Sequence, residues 1–158
     1  MLAPAPALAC GNDESTACDE SGTAAADDAR WLLGRAVAAV NKDESHALDA
    51  FTHGTEGFRT QDLYVFCIST SDDKVVAHPD PALRGQNATA LHDPNGKAFA
   101  AEMLDVAREG QFAQVSYLFP RPGSTVAVPK VSFVTRVKDL VCGVGYYPET
   151  PQLGAALN

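Results

Sequence analysis

Four side chains are of types that could do chemistry together: His78, Tyr117, Lys130 and Ser132. Lys130 is the informative one. It follows Pro129 and opens the β-rich run VSFVTRV, where a lone ammonium facing a core would cost several kcal/mol unless paired. Either it faces water, the ordinary case, or an anion meets it. Tyr117 and Ser132 could donate hydrogen bonds to the same anion. His78 could add another donor in either charge state, because its reference pKa of ~6.5 lies near neutrality. Together the four describe a pocket for a small carboxylate.

Catalytic arrangements fit less well. Cys67 or Ser132 could be paired with His78 as nucleophile and base, but no glycine-framed elbow surrounds any serine. Cys67 lies mid-strand among apolar neighbours that would raise its pKa. The chain has no GxGxxG, no P-loop and no HExxH, and no Cys/His pairing has zinc spacing. Neither an enzyme nor a cofactor or metal site is expected.

The elements that must position these residues follow from periodicity. LYVFCISTSDDKVVAHPDPALRGQN, residues 63–87, reads as a hairpin: a β-rich arm, a polar turn at 71–74, and a second arm that ends by handing His78 to a loop restricted by Pro79 and Pro81. Upstream, Leu33, Val37, Val40, Ala47 and Phe51 recur near helical period, so one long amphipathic helix is expected from about Ala24 to Phe51, ended by His53-Gly54. Thr55 to Asp62 reads as a loop. A shorter helix is expected over Ala98–Arg108, then strands over Phe112–Phe119, Val126–Val137 and Leu140–Tyr147. Alternation places Tyr64, Phe66 and Ile68 on one face of the first strand, and Lys130, Ser132, Val134 and Arg136 on one face of the fourth. A hairpin, a helical crossover and a three-strand meander make an α+β fold: one antiparallel sheet with helices gathered on it.

The net charge of -8 is unevenly placed: the first 28 residues hold six acids and no base. With no basic stripe, nucleic acid is not an expected partner. No apolar run approaches the ~18 to 20 residues that span a bilayer. The start, MLAPAPALAC, could be the trimmed end of a secretion signal, and Ala7-Leu8-Ala9-Cys10 loosely resembles a lipoprotein cleavage site. Cys10 and Cys18 could pair in an exported protein, whereas Cys67 and Cys142, inside apolar runs, are expected as two buried thiols. Trp31 falls off the main helical stripe, as either a partly buried flank or a seam with a second copy of the helix. His92 and Asp93 read as a solvated pair, and Asn87-Ala88-Thr89 as a chance glycosylation sequon.

Four stretches together resemble the single Cache sensor domain, an extracytoplasmic PAS-like ligand-binding module of bacterial chemoreceptors and sensor kinases. They are residues 63–87; FAAEMLDVAREG; VSYLFPRPGSTVAVPKVSFVTRV; and DLVCGVGYYP. The carrying motifs are His78-Pro79, the Leu-x-Gly-x-Asn of Leu83, Gly85 and Asn87, the Pro-Lys-x-Ser at 129–132, and the glycine-rich ending with Gly143, Gly145, Tyr147 and Pro148. The resemblance implies a long N-terminal helix beside a five-stranded antiparallel PAS or profilin-like sheet, with residues 1–22 a leader, 23–150 the domain and 151–158 a tail. It implies periplasmic sensing of small organic acids in chemotaxis or two-component signalling, with a membrane receptor or kinase as partner. Carried over, the pocket is Tyr64, His78, Tyr117, Lys130 and Ser132, walled by Phe58, Arg59, Phe66 and Phe119. Phe119 and Phe133 depart from the tryptophan and tyrosine usual in the family, so the resemblance implies a ligand class rather than one ligand.

Overall fold

The computed structural model describes residues 20–60 and 62–148, with side chains from residue 25 onward; Cys10 and Cys18 lie outside them. Buried Ala26, Ala29, Leu32, Leu33, Ala36 and Val40, spaced three and four apart, make the inner stripe of helix α1, Glu20–Lys42. The single helix expected to Phe51 is two. Asp43 takes an extended backbone (φ -162°), and its carboxylate accepts the His46 N–H, capping helix α2, Glu44–His53. The main-chain bonds Asp43 N to Ala39 O (3.0 Å) and Ala47 N to Asp43 O (2.9 Å) bridge the break, so the axis bends at little cost in hydrogen bonding. Gly54, at φ 68°, ends α2 in the left-handed conformation that glycine adopts without strain.

Six strands follow: β1 Arg59–Thr60, β2 Leu63–Ser69, β3 Val75–Ala77, β4 Ala113–Pro120, β5 Ala127–Val137 and β6 Leu140–Tyr146. Between β3 and β4 lie a short 3-10 turn, Ala88–Ala90, and helix α3, Phe99–Val106. The sheet is antiparallel in the order β1-β2-β6-β5-β4, with β3 also paired to β2. β1 is the strand beyond the expected five; it falls in the stretch that read as loop, where a two-residue pairing leaves no periodic signal.

The sheet is covered on both faces. α1 and α2 pack over Val65, Cys67, Phe133, Cys142 and Val144, while α3 and its flanking loops pack over Tyr64, Phe66, Ile68, Val115, Tyr117 and Val141. Double coverage explains why β2 and β6 read as nearly continuous apolar runs.

Two readings of loops and cysteines are corrected. Cys67 and Cys142 are directly opposite on β2 and β6, with Cα atoms 4.0 Å apart, and form a disulfide instead of two thiols. Asp93 is 8% exposed rather than solvated; its carboxylate accepts the Asn95, Lys97 and Leu118 N–H groups, tying the crossover to β4. The Lys97 N–H bond above all holds its pKa below the ordinary carboxylate value. Asn87 caps the 3-10 turn by accepting the Thr89 N–H at 2.8 Å. Trp31 is no buried flank: it stands 67% exposed on α1, with the Arg35 guanidinium 5.5 Å from its ring.

Candidate functional site

Lys130 projects from β5 onto the face opposite α1 and α2. Its butyl chain crosses β6 above Gly145, where a Cβ would come within 2.4 Å of Lys130 Cε and of Ser132 Oγ. Beyond Gly145 the amine reaches Tyr64 on β2 and donates to Tyr64 Oη at 2.8 Å. The glycine is therefore the floor that lets one side chain span two strands. Gly143 does the same for its neighbours, since a Cβ there would meet Phe66 Cζ at 2.6 Å.

The ammonium sits among rings. Its Nζ lies 4.4 Å from the centroid of Tyr64, 4.8 Å from Phe119, 5.3 Å from Tyr147 and 6.0 Å from Tyr117, all within cation–π range. Lys130 is 2% exposed, and among the described residues no carboxylate lies within ion-pair distance of it. Burial lowers its pKa to about 7, with the more distant Asp62 pulling weakly the other way. Burial likewise pushes the Tyr64 and Tyr117 phenols well above their ordinary value, so both remain protonated donors.

His78 faces the same space, 5.0 Å from the Tyr64 ring and 6.3 Å from that of Phe119. Asp80 N–H donates to His78 Nδ1 at 2.9 Å, which leaves Nε2 to carry the proton of a neutral ring. Burial first, then the charge of Lys130, lowers the His78 pKa to about 3. His78 is thus a neutral Nε2–H donor across the physiological range.

These groups surround two spaces. The inner one, about 30 Å³, lies between the sheet and α3, with Lys130, Tyr64, Tyr117 and His78 on one side and apolar Phe99 and Met103 on the other. That is room for about one or two waters. The outer cleft, about 290 Å³, is rimmed by Arg59, Asp80 and the Pro120–Ser124 turn. Tyr64, His78 and Phe119 line both, and so form the partition between them.

Seven of the nine expected site residues therefore meet at one place or at its mouth: Tyr64, Phe66, His78, Tyr117, Phe119 and Lys130 within, and Arg59 outside. Ser132 stands behind them; its hydroxyl is 2.8 Å from Tyr117 Oη and neither space touches it. It is the hydrogen-bond partner of the Tyr117 hydroxyl. Phe58 is not a wall. It lies on the opposite face, edge-on to Phe51 at 4.8 Å with Arg35 over its ring at 4.4 Å, because the turn before β1 folds it under α2. Sequence reading missed Leu83, Leu91, Phe99 and Met103. Phe99 and Met103 stand four apart on α3, and that spacing is the signal that both face one surface. Phe99 stacks on Tyr117 at 4.4 Å. Among the described residues no group of His, Cys, Asp or Glu could hold a metal, and no helix is long and apolar enough to cross a membrane.

Known proteins are similar to this chain in sequence and in fold. The chain is 33% identical over 90 residues to the methyl-accepting chemotaxis protein McpP of Pseudomonas putida, an alignment that covers 55% of this chain and 16% of that protein. It is similar to a solved periplasmic sensor domain of a chemotaxis protein, with 32% identity and a TM-score of 0.60, covering 78% of this chain and 90% of the other. A Cache chemosensory domain described for carboxylic acid recognition shares the fold at 24% identity and a TM-score of 0.58, over 76% of this chain and 83% of its own. The Cache domain family profile matches residues 41–150, which takes in both faces of the sheet and the residues around Lys130. The chain belongs to the Cache domain family.

Proposed function

We propose that this chain is a periplasmic sensing domain that binds a small carboxylate in the inner cavity. Lys130 is the charge partner, and Tyr117 and His78 Nε2 are hydrogen-bond donors. The observation that carries this reading is a cation buried among aromatic rings with no described carboxylate beside it. Burying an unpaired charge is costly, and an anion in the cavity would relieve that cost and draw the Lys130 pKa back up. Carboxylic acid recognition by a Cache domain of the same fold supports the ligand class. The Cys67–Cys142 disulfide suits an oxidising compartment. A role in chemotaxis, with a receptor or kinase as partner, is the reading that the likeness to McpP supports, although this chain spans only 16% of that protein's length.

A thermal-shift screen with acetate, propionate, lactate and pyruvate tests the proposal. A specific ligand at about 100 times its dissociation constant stabilises by ~2.7 kcal/mol. Lys130→Met should remove the shift, and an undiminished shift in that variant would take Lys130 out of the site.

A second reading draws on the smallness of the inner cavity and on exposed Trp31. The chain would then be an interaction module whose site is filled by its own aromatics, associating as a homodimer through α1. Absence of any ligand shift, together with dimerisation lost on Trp31→Ala, would favour it.

A further inference from the structure

Of the five lysines, Lys42, Lys74, Lys97 and Lys138 are exposed and Lys130 alone is withdrawn from water. A lysine attacks carbonyl carbon well when apolar surroundings favour the neutral amine. It also needs a neighbouring hydroxyl to move a proton and space for the carbonyl compound. Lys130 has a ring-lined setting and Tyr64 Oη at 2.8 Å, and the inner cavity at its amine, about 30 Å³, gains space for a carbonyl compound where the Tyr64–His78–Phe119 partition parts toward the outer cleft of about 290 Å³. We propose that Lys130 forms a reversible imine with small aldehydes or α-oxo acids that enter the inner cavity, so that the site can capture a ligand covalently as well as by charge.

In the step the neutral Nζ gives its lone pair to the carbonyl carbon and the C=O π pair moves to oxygen. That oxygen takes a proton from Tyr64 Oη, which is refilled from the amine. The resulting carbinolamine takes a second proton at its hydroxyl oxygen, the one that the ammonium released to solvent on becoming the attacking amine, and that oxygen leaves as water while the nitrogen pair closes C=N. Overall, one carbonyl compound and one ammonium give one protonated imine and one water; two protons leave with the oxygen, and nothing is oxidised or reduced. The lowered Lys130 pKa of about 7 leaves roughly half of it as amine at neutral pH, against about one part in a few thousand for a surface lysine of pKa ~10.4. The inference uses the cavity of the carboxylate reading but does not need the ligand's charge.

The test is trapping with cyanoborohydride at pH 7 on the folded full chain, followed by peptide mapping. Pyruvate carries both a carboxylate and a carbonyl, propanal only the carbonyl, and lactate only the carboxylate. Label from pyruvate and propanal should fall on Lys130 at about tenfold or more above each exposed lysine, with none from lactate, and the preference should vanish in urea. Lys130→Arg should abolish the pocket label; if that variant does not fold, the wild-type map still decides. Lys130 labelled no more than Lys42 or Lys138 overturns the inference. A lactate shift in melting temperature without Lys130 label leaves the carboxylate reading intact and removes the imine. Lys130 label without any carboxylate shift does the reverse.

Discussion

Replacing Lys130 by methionine should change how stability depends on pH more than it changes the fold. The side chains are of similar length and the site is lined by rings, so the uncharged thioether keeps most of the packing. In the wild type the ammonium has a folded-state pKa of about 7 against ~10.4 unfolded. Below pH 7 both states hold the proton and folding bears the full cost of burying the charge. Between pH 7 and ~10.4 the unfolded chain binds one proton more than the folded one, so stability rises with pH by ~1.4 kcal/mol per unit. Over pH 7 to 9 the wild type should therefore gain ~2.5 kcal/mol relative to Lys130→Met, and the variant should be the more stable of the two at pH 6. Urea unfolding of both proteins at pH 6, 7, 8 and 9 measures this. His78, lowered to about 3 in the folded state, lets the unfolded chain take up a proton near pH ~6.5 in both proteins alike, so its effect cancels in the difference, and the raised phenols of Tyr64, Tyr117 and Tyr147 do not titrate in that window. Parallel curves would refute the argument that Lys130 is buried as a cation without a partner.

Gly145→Ala puts a methyl 2.4 Å from Lys130 Cε and Ser132 Oγ; it should cost ~1 to 3 kcal/mol by overpacking and weaken carboxylate shifts, both read by thermal melts. His78, lowered to about 3 in the folded state from ~6.5, withholds a proton that the unfolded chain takes up. Stability should therefore fall by ~2 kcal/mol from pH 7 to 5, a loss that His78→Phe should remove in the same urea titrations. The disulfide closes a separation of 75 residues, so the double variant Cys67→Ala, Cys142→Ala should lose ~4 kcal/mol on the chain-entropy account, measured as a drop in urea midpoint with a somewhat steeper slope, because the unlinked unfolded chain exposes more surface.

Much of the site was legible because strand alternation is a local property. Tyr64 and Phe66 on β2, Tyr117 and Phe119 on β4, and Lys130 on β5 face one side by counting in twos, and the chemistry of a lysine in an apolar run pointed inward. What the sequence hid was long-range or irregular. Pairing of Cys67 with Cys142 depends on the β2–β6 register, which joins strands 75 residues apart. Phe58 lies in a turn with no period, so its face could not be counted. The single helix came from a stripe that stays in phase across Asp43, because the bend keeps the backbone bonds on both sides. Ser132 was assigned to the right face, but its bond to Tyr117 is a cross-strand relation that only the β4–β5 pairing reveals. Gly145 was noticed as part of a motif, and its reason, the passage of the Lys130 chain, is visible only in three dimensions.

The covalent link between β2 and β6 lies on the helix side of the sheet, back to back with the aromatic chamber. Slippage of these central strands, which would swap the two faces of each, is thereby chemically forbidden while the link is oxidised. Any movement that reports an occupied chamber must then travel through parts that the link leaves free, the crossover carrying His78 and α3 on one side and the tilting of α1 on the other.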